Sequence, residues 1–278
     1  KSGFWFGLNV GLKWPREINH EYTSSPKISQ MNTILAFGIT YFEGIYVKKC
    51  NEKAIKYFEL SANLKNSRAM YYLGLAYYYG EGVSEDKKKS FDYFKSSANL
   101  KDPLALYQMG YFYEKGEIME QNLEIAIKCY EMSANQGYSD AFNKLGDLFL
   151  KGELVQQNIH KALNYFELSC SLNNSSAFLK LSEYYSTGLE LYYDLNKSME
   201  YLQRLIDFKN KNENLFNRVC MNGDYYIANN NLGLFYITEV EFQNIELAEK
   251  YLKIAAFNEY PYGQNNYGLL CQFYLNKM

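Results

Sequence analysis

Histidine is almost missing from this chain: His20 and His160 are the only two in 278 residues. The side chain best suited to proton transfer near neutral pH is therefore scarce. His20 lies in an irregular N-terminal stretch. His160 sits just ahead of a helix, where exposure is expected. No glycine-rich loop follows a strand pattern, and Gly80-Glu81-Gly82 reads as a turn. The carboxylates Glu81 and Glu85 read as solvated turn residues. No His, Cys and carboxylate cluster has metal-ligand spacing. These absences argue against an enzyme, a metal site or a cofactor, and no residue is assigned a catalytic role.

The five cysteines are odd in number, scattered, and form no C-x-x-C pair. Reduced thiols in a reducing compartment are expected, which favours the cytoplasm. Basic excess is lacking too: 29 Lys and Arg face 31 Asp and Glu, for a net charge of -2. That excludes the electrostatic footprint of a nucleic-acid binder. The longest apolar run near the start, Gly3–Leu12, is about ten residues, half of what a membrane-spanning helix needs. No direct membrane insertion is expected. Three Asn-x-Ser sequons, at Asn173, Asn174 and Asn196, are about what chance supplies and say nothing of secretion. Only four Pro accompany an excess of Asn, Lys and Tyr, which reads as coding bias. The chain begins at Lys1, so an upstream targeting segment is left open.

What is present is a repeat. A small residue recurs at Gly38, Gly74, Gly110, Gly146 and Ser182, each 36 residues after the last. Looser copies are centred on Gly233 and Gly268. A period in this range marks a stack of small units, none able to bury its own apolar face. With the glycine as position zero, position -5 is small (Ala69, Ala105, Ala141, Ala177, Ala228). Position -1 is large and apolar (Phe37, Leu73, Met109, Leu145, Leu181, Leu232, Tyr267). Position +3 is aromatic (Tyr41, Tyr77, Tyr113, Phe149, Tyr185, Tyr236). Steps of four put all three on one face of a helix, here called helix A. The central glycine lets a neighbouring helix approach closely.

A second glycine at +6 (Gly44, Gly80, Gly116, Gly152, Gly188) suits a helix C-terminus. Asp86, Asn122, Asn158, Asp194 and Asn244 then suit the N-cap of a second helix, helix B. Helix B carries a small residue (Ala54, Ser90, Ala126, Ala162, Ser198, Ala248). An aromatic or Leu follows four later (Phe58, Phe94, Tyr130, Phe166, Leu202, Leu252). A mostly small residue comes eight later (Ala62, Ala98, Ala134, Cys170, Ala256), expected to admit the next helix A.

This pattern resembles the Sel-1-like repeat, a tetratricopeptide variant with a 36-residue unit. Ala69 to Ala98, with the turn Gly80-Glu-Gly-Val83, is the best copy, and Ala134-Asn-Gln-Gly137 matches the turn between repeats. The resemblance covers roughly residues 31–276. It implies an all-α, right-handed α/α superhelix of about six to seven helix pairs. Residues 1–30 would be a non-repeat segment: a cap over the first repeat, a divergent helix, or the tail of a preceding domain. Repeats one to five would span 31–208, an insertion loop 209–227, and repeat six with a partial seventh 228–278. The resemblance also implies a non-catalytic adaptor for a protein or peptide ligand, monomeric by itself. Two alternatives stay open: a luminal adaptor of endoplasmic-reticulum quality control, and the regulatory part of a larger signalling protein such as a kinase.

Positions -3, +1 and +4 fall on the opposite arc of helix A, which lines the concave groove in tetratricopeptide relatives. Here that arc reads Leu35, Ile39 and Phe42, then Tyr71, Leu75 and Tyr78, then Tyr107, Tyr111 and Glu114. It turns acidic at Asp147 and Glu183. A helix facing only solvent would not carry so many apolar side chains. Either tight curvature buries them against neighbouring helices, or they form an aromatic groove for a partner. Tyrosine suits such a groove because it buries a large ring and keeps a polar tip.

Overall fold

The computed structural model describes residues 26–187, 193–211, 223–258 and 260–275. Among these residues there are thirteen α-helices and no strand: α1 Pro26–Glu43, α2 Asn51–Asn63, α3 Ser67–Tyr79, α4 Lys87–Asn99, α5 Pro103–Lys115, α6 Leu123–Asn135, α7 Ser139–Lys151, α8 Ile159–Ser171, α9 Ser175–Thr187, α10 Leu195–Lys211, α11 Gly223–Thr238, α12 Ile245–Phe257 and α13 Pro261–Leu270. The odd-numbered helices are helix A and the even-numbered ones helix B. From α1 to α7, and again from α9 to α13, consecutive helices pack on one another, the arrangement of a helical solenoid. The described residues form two compact units, one within 26–162 and one within 163–275. The N-terminal segment expected as a cap lies outside the described residues up to 25, and residues 26–30 belong to α1. The expected insertion is described only at its edges. Lys209–Lys211 close α10, Gly223–Ile227 open α11, and 212–222 lie outside the described residues.

The helix starts follow from their caps. Asp86, Asn122, Asn158, Asp194 and Asn244 each accept a hydrogen bond from the backbone N–H three residues on, at 2.9 to 3.0 Å. Asn66, Asp102 and Asn174 do so at helix A, at 3.0 to 3.2 Å. Each bond satisfies a donor that the first turn leaves orphaned. Gly80 closes α3 at φ 69°, the left-handed conformation that ends a helix without a Cβ penalty.

The turn from helix B to the next helix A also needs one left-handed residue. It is Gly137 after α6, but Lys65, Lys101 and Asn173 at the same place in the repeat, with φ of 61° to 67°. A lysine there carries strain that glycine avoids. Lys101→Gly should therefore raise stability by about 1 kcal/mol in a urea melt, part of the strain relief being offset by a freer unfolded chain.

The core lies between the two helices of each pair. Ala69, Ala105, Ala141, Ala177 and Ala228 are fully buried, as are Phe58, Phe94, Tyr130, Phe166, Leu202 and Leu252. The central glycine is a contact point. A Cβ built on Gly38, Gly74 or Gly110 would fall 2.5 to 2.7 Å from the ring of Phe58, Phe94 or Tyr130, and one on Gly233 would fall 2.7 Å from Leu252. The aromatic at +3 sits at the rim and stacks on an aromatic of helix B. The ring pairs are Tyr41–Tyr57, Tyr77–Tyr93, Tyr185–Tyr201 and Tyr236–Tyr251, all 5.6 to 5.9 Å apart and nearly parallel.

Two details depart from the sequence pattern. Phe37, at a position that is core in α3, α5, α7, α9 and α11, is 52% exposed. In helix B the fully buried small residue comes seven, not eight, after the first: Ser61, Ser97, Ser133, Ser169 and Ala255. Three of these serines also tie the two helices of a pair. Ser61, Ser97 and Ser133 donate to the carbonyls of Met31, Ser67 and Pro103 at 2.9, 2.7 and 2.6 Å. Ser133→Ala should cost about 1 kcal/mol, the net worth of one such bond, read from the shift in a urea midpoint.

The packing of helix B on the preceding helix B is kept across the 209–227 region. Tyr201 donates to Glu167, 34 residues earlier. Tyr251 donates to Gln203 at 2.9 Å, 48 residues earlier. Both tyrosines precede the buried Leu of their helix, and both acceptors follow the buried residue of theirs. The helix B register of α10 is therefore resumed in α12.

Candidate functional site

Helix A places the expected stripe residues, and burial divides them. In the unit of residues 26–162, four are core. Ile39 and Phe42 are buried, with the Phe42 ring 5.8 Å from Phe58 and 5.9 Å from Tyr72. Tyr71 is 1% exposed, 5.6 Å from both Tyr72 and Phe94. Glu114 is buried as well. None of these four has surface to offer a partner, so the sequence expectation is corrected for them. The reason is local packing: Tyr72 and Phe94 enclose Tyr71, and Tyr130 of α6 and Lys144 of α7 close over Glu114.

Glu114 serves the fold. Its carboxylate accepts from the Tyr130 hydroxyl at 2.7 Å and from Lys144 at 2.9 Å, with Lys115 at 3.6 Å. Its backbone carbonyl accepts from Gln121 at 2.7 Å. A buried carboxylate needs such partners, because desolvation without them is costly. Burial first, and then Glu114, push the Tyr130 hydroxyl well above the ordinary tyrosine range.

Leu35, Leu75, Tyr78, Tyr107, Tyr111 and Asp147 remain half-buried, each with part of its side chain at the surface. Glu183, in the other unit, is exposed on α9. Tyr107 packs on Tyr130 and Tyr138, both at 5.2 Å, and its hydroxyl is pushed up by burial and then by Asp140, Glu114 and Asp147.

Tyr78 and Tyr111 come together around a residue the sequence pattern missed. Glu117, just past the C-cap of α5, accepts from Tyr78 at 3.1 Å and from Tyr111 at 3.5 Å. Lys87 reaches the same carboxylate at 3.8 Å and lies over the Tyr78 ring. Tyr79 packs edge-on to Tyr78 and is 64% exposed. Glu117 lies in a turn, outside the helical periodicity that selected the other candidates. The only signal for it was its place after Gly116. The patch offers aromatic faces whose polar tips are already held, a surface suited to grip a polypeptide by ring burial.

His160 is exposed at the start of α8. Cys50, Cys129, Cys170 and Cys271 are free thiols, and Cys220 lies outside the described residues. Burial, aided by Glu167, pushes Cys170 up to about 12, far from the thiolate a nucleophile needs. Among the described residues no three His, Cys, Asp or Glu side chains are grouped to hold a metal ion, and no helix is long and apolar enough to cross a membrane.

The Sel1 repeat family model matches residues 34–66, 67–102, 103–138, 139–174, 176–207 and 227–256. The fold is similar to the crystal structure of a Sel1 repeat protein from Oxalobacter formigenes, with a TM-score of 0.69 at 24% identity over 86% of this chain and 92% of that one. It is also similar to a protective antigen of uropathogenic Escherichia coli, with a TM-score of 0.62 at 23% identity. There 87% of this chain aligns with 49% of the antigen, so this chain spans about half of it. An immunity protein of Pseudomonas aeruginosa shares the fold at a TM-score of 0.52 and 16% identity, over 84% of each chain. No curated protein matches.

Proposed function

The chain belongs to the Sel1 repeat family, and on that premise we propose that it is a non-catalytic protein-interaction scaffold that holds a partner polypeptide on the helix-A stripe of α3 and α5. The observation that carries this reading is the patch of Tyr78, Tyr111 and exposed Tyr79 around Glu117, next to half-buried Leu75. These rings are too exposed to be core, and a pure solvent face has no use for them. A folded repeat array commonly binds along such a row of helices. Asp147 and Tyr107 extend the row to α7. A protein or peptide ligand fits best, because the patch offers ring faces rather than free charge: its Lys87 is paired with Glu117.

The test uses the full chain as bait in a lysate of the source organism. Tyr78→Ser/Tyr111→Ser and Tyr78→Phe/Tyr111→Phe are run beside it, each checked for native helicity by circular dichroism. A partner kept by the wild type and the Phe variant, and reduced about tenfold or more by the Ser variant, is expected; that factor corresponds to about 1.4 kcal/mol. Equal recovery on all three baits would rule out the stripe as the binding face.

A further inference from the structure

Each helix A turns one face toward the helix B that precedes it, and three contacts mark that face. At position -5, a Cβ on Gly263 of α13 would fall 2.6 Å from Ala255 of α12. At position -1, Leu73 of α3 lines a small hollow with Ala62 of α2. In the loop after α3, a Cβ on Gly82 would fall 2.7 Å from Asn51, the first residue of α2. Positions -5 and -1 are buried in α3, α5, α7, α9 and α11.

Helix α1 leaves all three places open. Thr33 is exposed at -5, and Phe37 is exposed at -1 although its ring meets Tyr57 of α2 at 5.7 Å. Tyr46, in the place of Gly82, is 83% exposed. Residues 28–30 correspond to 64–66, where the chain turns out of a helix B, yet they are helical and belong to α1. No helix B therefore precedes α1 in the usual register. The open face is nonetheless built like an interface. No charged residue lies between Lys27 and Glu43, and Ile45 and Val47 are exposed beside Tyr46. A patch of this kind is covered in use, and the end of a repeat stack needs a cap to stay soluble.

We infer that residues 4–14 of the same chain dock on this face of α1 and close the stack at its first pair. Seven of these eleven residues are large and apolar: three aromatics at Phe4, Trp5 and Phe6, then Leu8, Val10, Leu12 and Trp14. Residues 15–25 are the tether. Eleven residues reach up to about 36 Å, and the eighteen residues of α1 extend about 27 Å, so the segment can lie anywhere along the helix. A tether this short sets an effective concentration on the order of millimolar. The face is thus filled from within the chain ahead of a second copy or a partner. It is separate from the tyrosine patch of α3 and α5, and the inference does not rest on that patch.

Trp5 and Trp14 are the only tryptophans in the chain, so tryptophan emission reports on this segment alone. The test is run on the purified 278-residue chain, with excitation at the red edge where tyrosine does not absorb. Emission to the blue of the urea-unfolded chain is expected, with marked protection from acrylamide. Phe37→Asp and Tyr46→Asp, each checked for native helicity by circular dichroism, should shift both readings most of the way to the unfolded values. Tyr46→Asp sits in an exposed loop at φ 63°, which Asp adopts more readily than Tyr, so the fold survives it. Val240→Asp, an exposed site in the other unit, should change nothing. Wild-type tryptophans as open to acrylamide as in urea overturn the proposal. So does protection that both α1-face variants leave intact, because the segment then docks elsewhere. Protection that fades on dilution, in step with dissociation seen by sedimentation, overturns it too, because a second copy then supplies the cover.

Discussion

Glu114→Ala is expected to remove about 3 kcal/mol of stability, a large fraction of what holds a typical domain folded. The loss has two parts. The Tyr130 hydroxyl is fully buried and loses the acceptor at 2.7 Å. The Lys144 ammonium loses its carboxylate at 2.9 Å. Lys144 is 24% exposed, so it turns partly to water, and the cost stays at the low end of the range for a broken buried pair. Glu114→Gln keeps the shape and one acceptor oxygen for Tyr130 and should cost about half as much. Lys144→Ala strands a carboxylate that is only 3% exposed and should cost at least as much as Glu114→Gln. Urea melts of the three variants test this. A Glu114→Ala midpoint within error of the wild type would mean the network contributes nothing.

Gly74→Ser is expected to cost about 2 kcal/mol, although serine is a better helix former than glycine by several tenths. The added Cβ would lie 2.7 Å from Cε1 of Phe94, a ring that is 1% exposed and has no room to retreat. The chain itself supplies the remedy. In the fifth repeat the same position is Ser182, and the residue facing it is Leu202 rather than an aromatic. Ser198 there donates to the Ser182 carbonyl at 2.8 Å, as Ser90 donates to that of Gly74 at 2.7 Å. Gly74→Ser/Phe94→Leu therefore recreates an arrangement already tolerated. The double variant should be more stable than Gly74→Ser alone, with a coupling of about 1 kcal/mol. Additive losses would show that the ring is not what excludes a side chain at position 74.

The fold could be read from the chain because each repeat encodes it again. One Asp or Asn cap is weak evidence, but five at the same place before a helix, each later found bonded to the third N–H, leave little choice. The binding stripe was far less legible. Tyr71 and Tyr78 lie on the same face of α3, seven residues apart, and their residue type is identical. Phe94 and Tyr72 enclose one, whereas the other reaches Glu117 and the surface. A tyrosine satisfies either fate, so helical period does not separate them. Glu114 misled for a related reason. A carboxylate reads as surface until a lysine 30 residues on and a tyrosine 16 residues on are seen to hold it. Ser97 and Ser133 were hidden behind Ala98 and Ala134, which look like the better close-packing residues. Only the hydrogen bond to the opposite helix shows why serine is there.

The matched pair of tyrosine bonds, Tyr201 to Glu167 and Tyr251 to Gln203, puts a value on sequence drift. The second must close a loop of 48 residues where the first closes 34. Because closure entropy grows only with the logarithm of length, that difference costs about 0.3 kcal/mol. A stack whose neighbours meet over short spans loses little when one span lengthens. New sequence can enter between the fifth and sixth pairs almost without thermodynamic resistance.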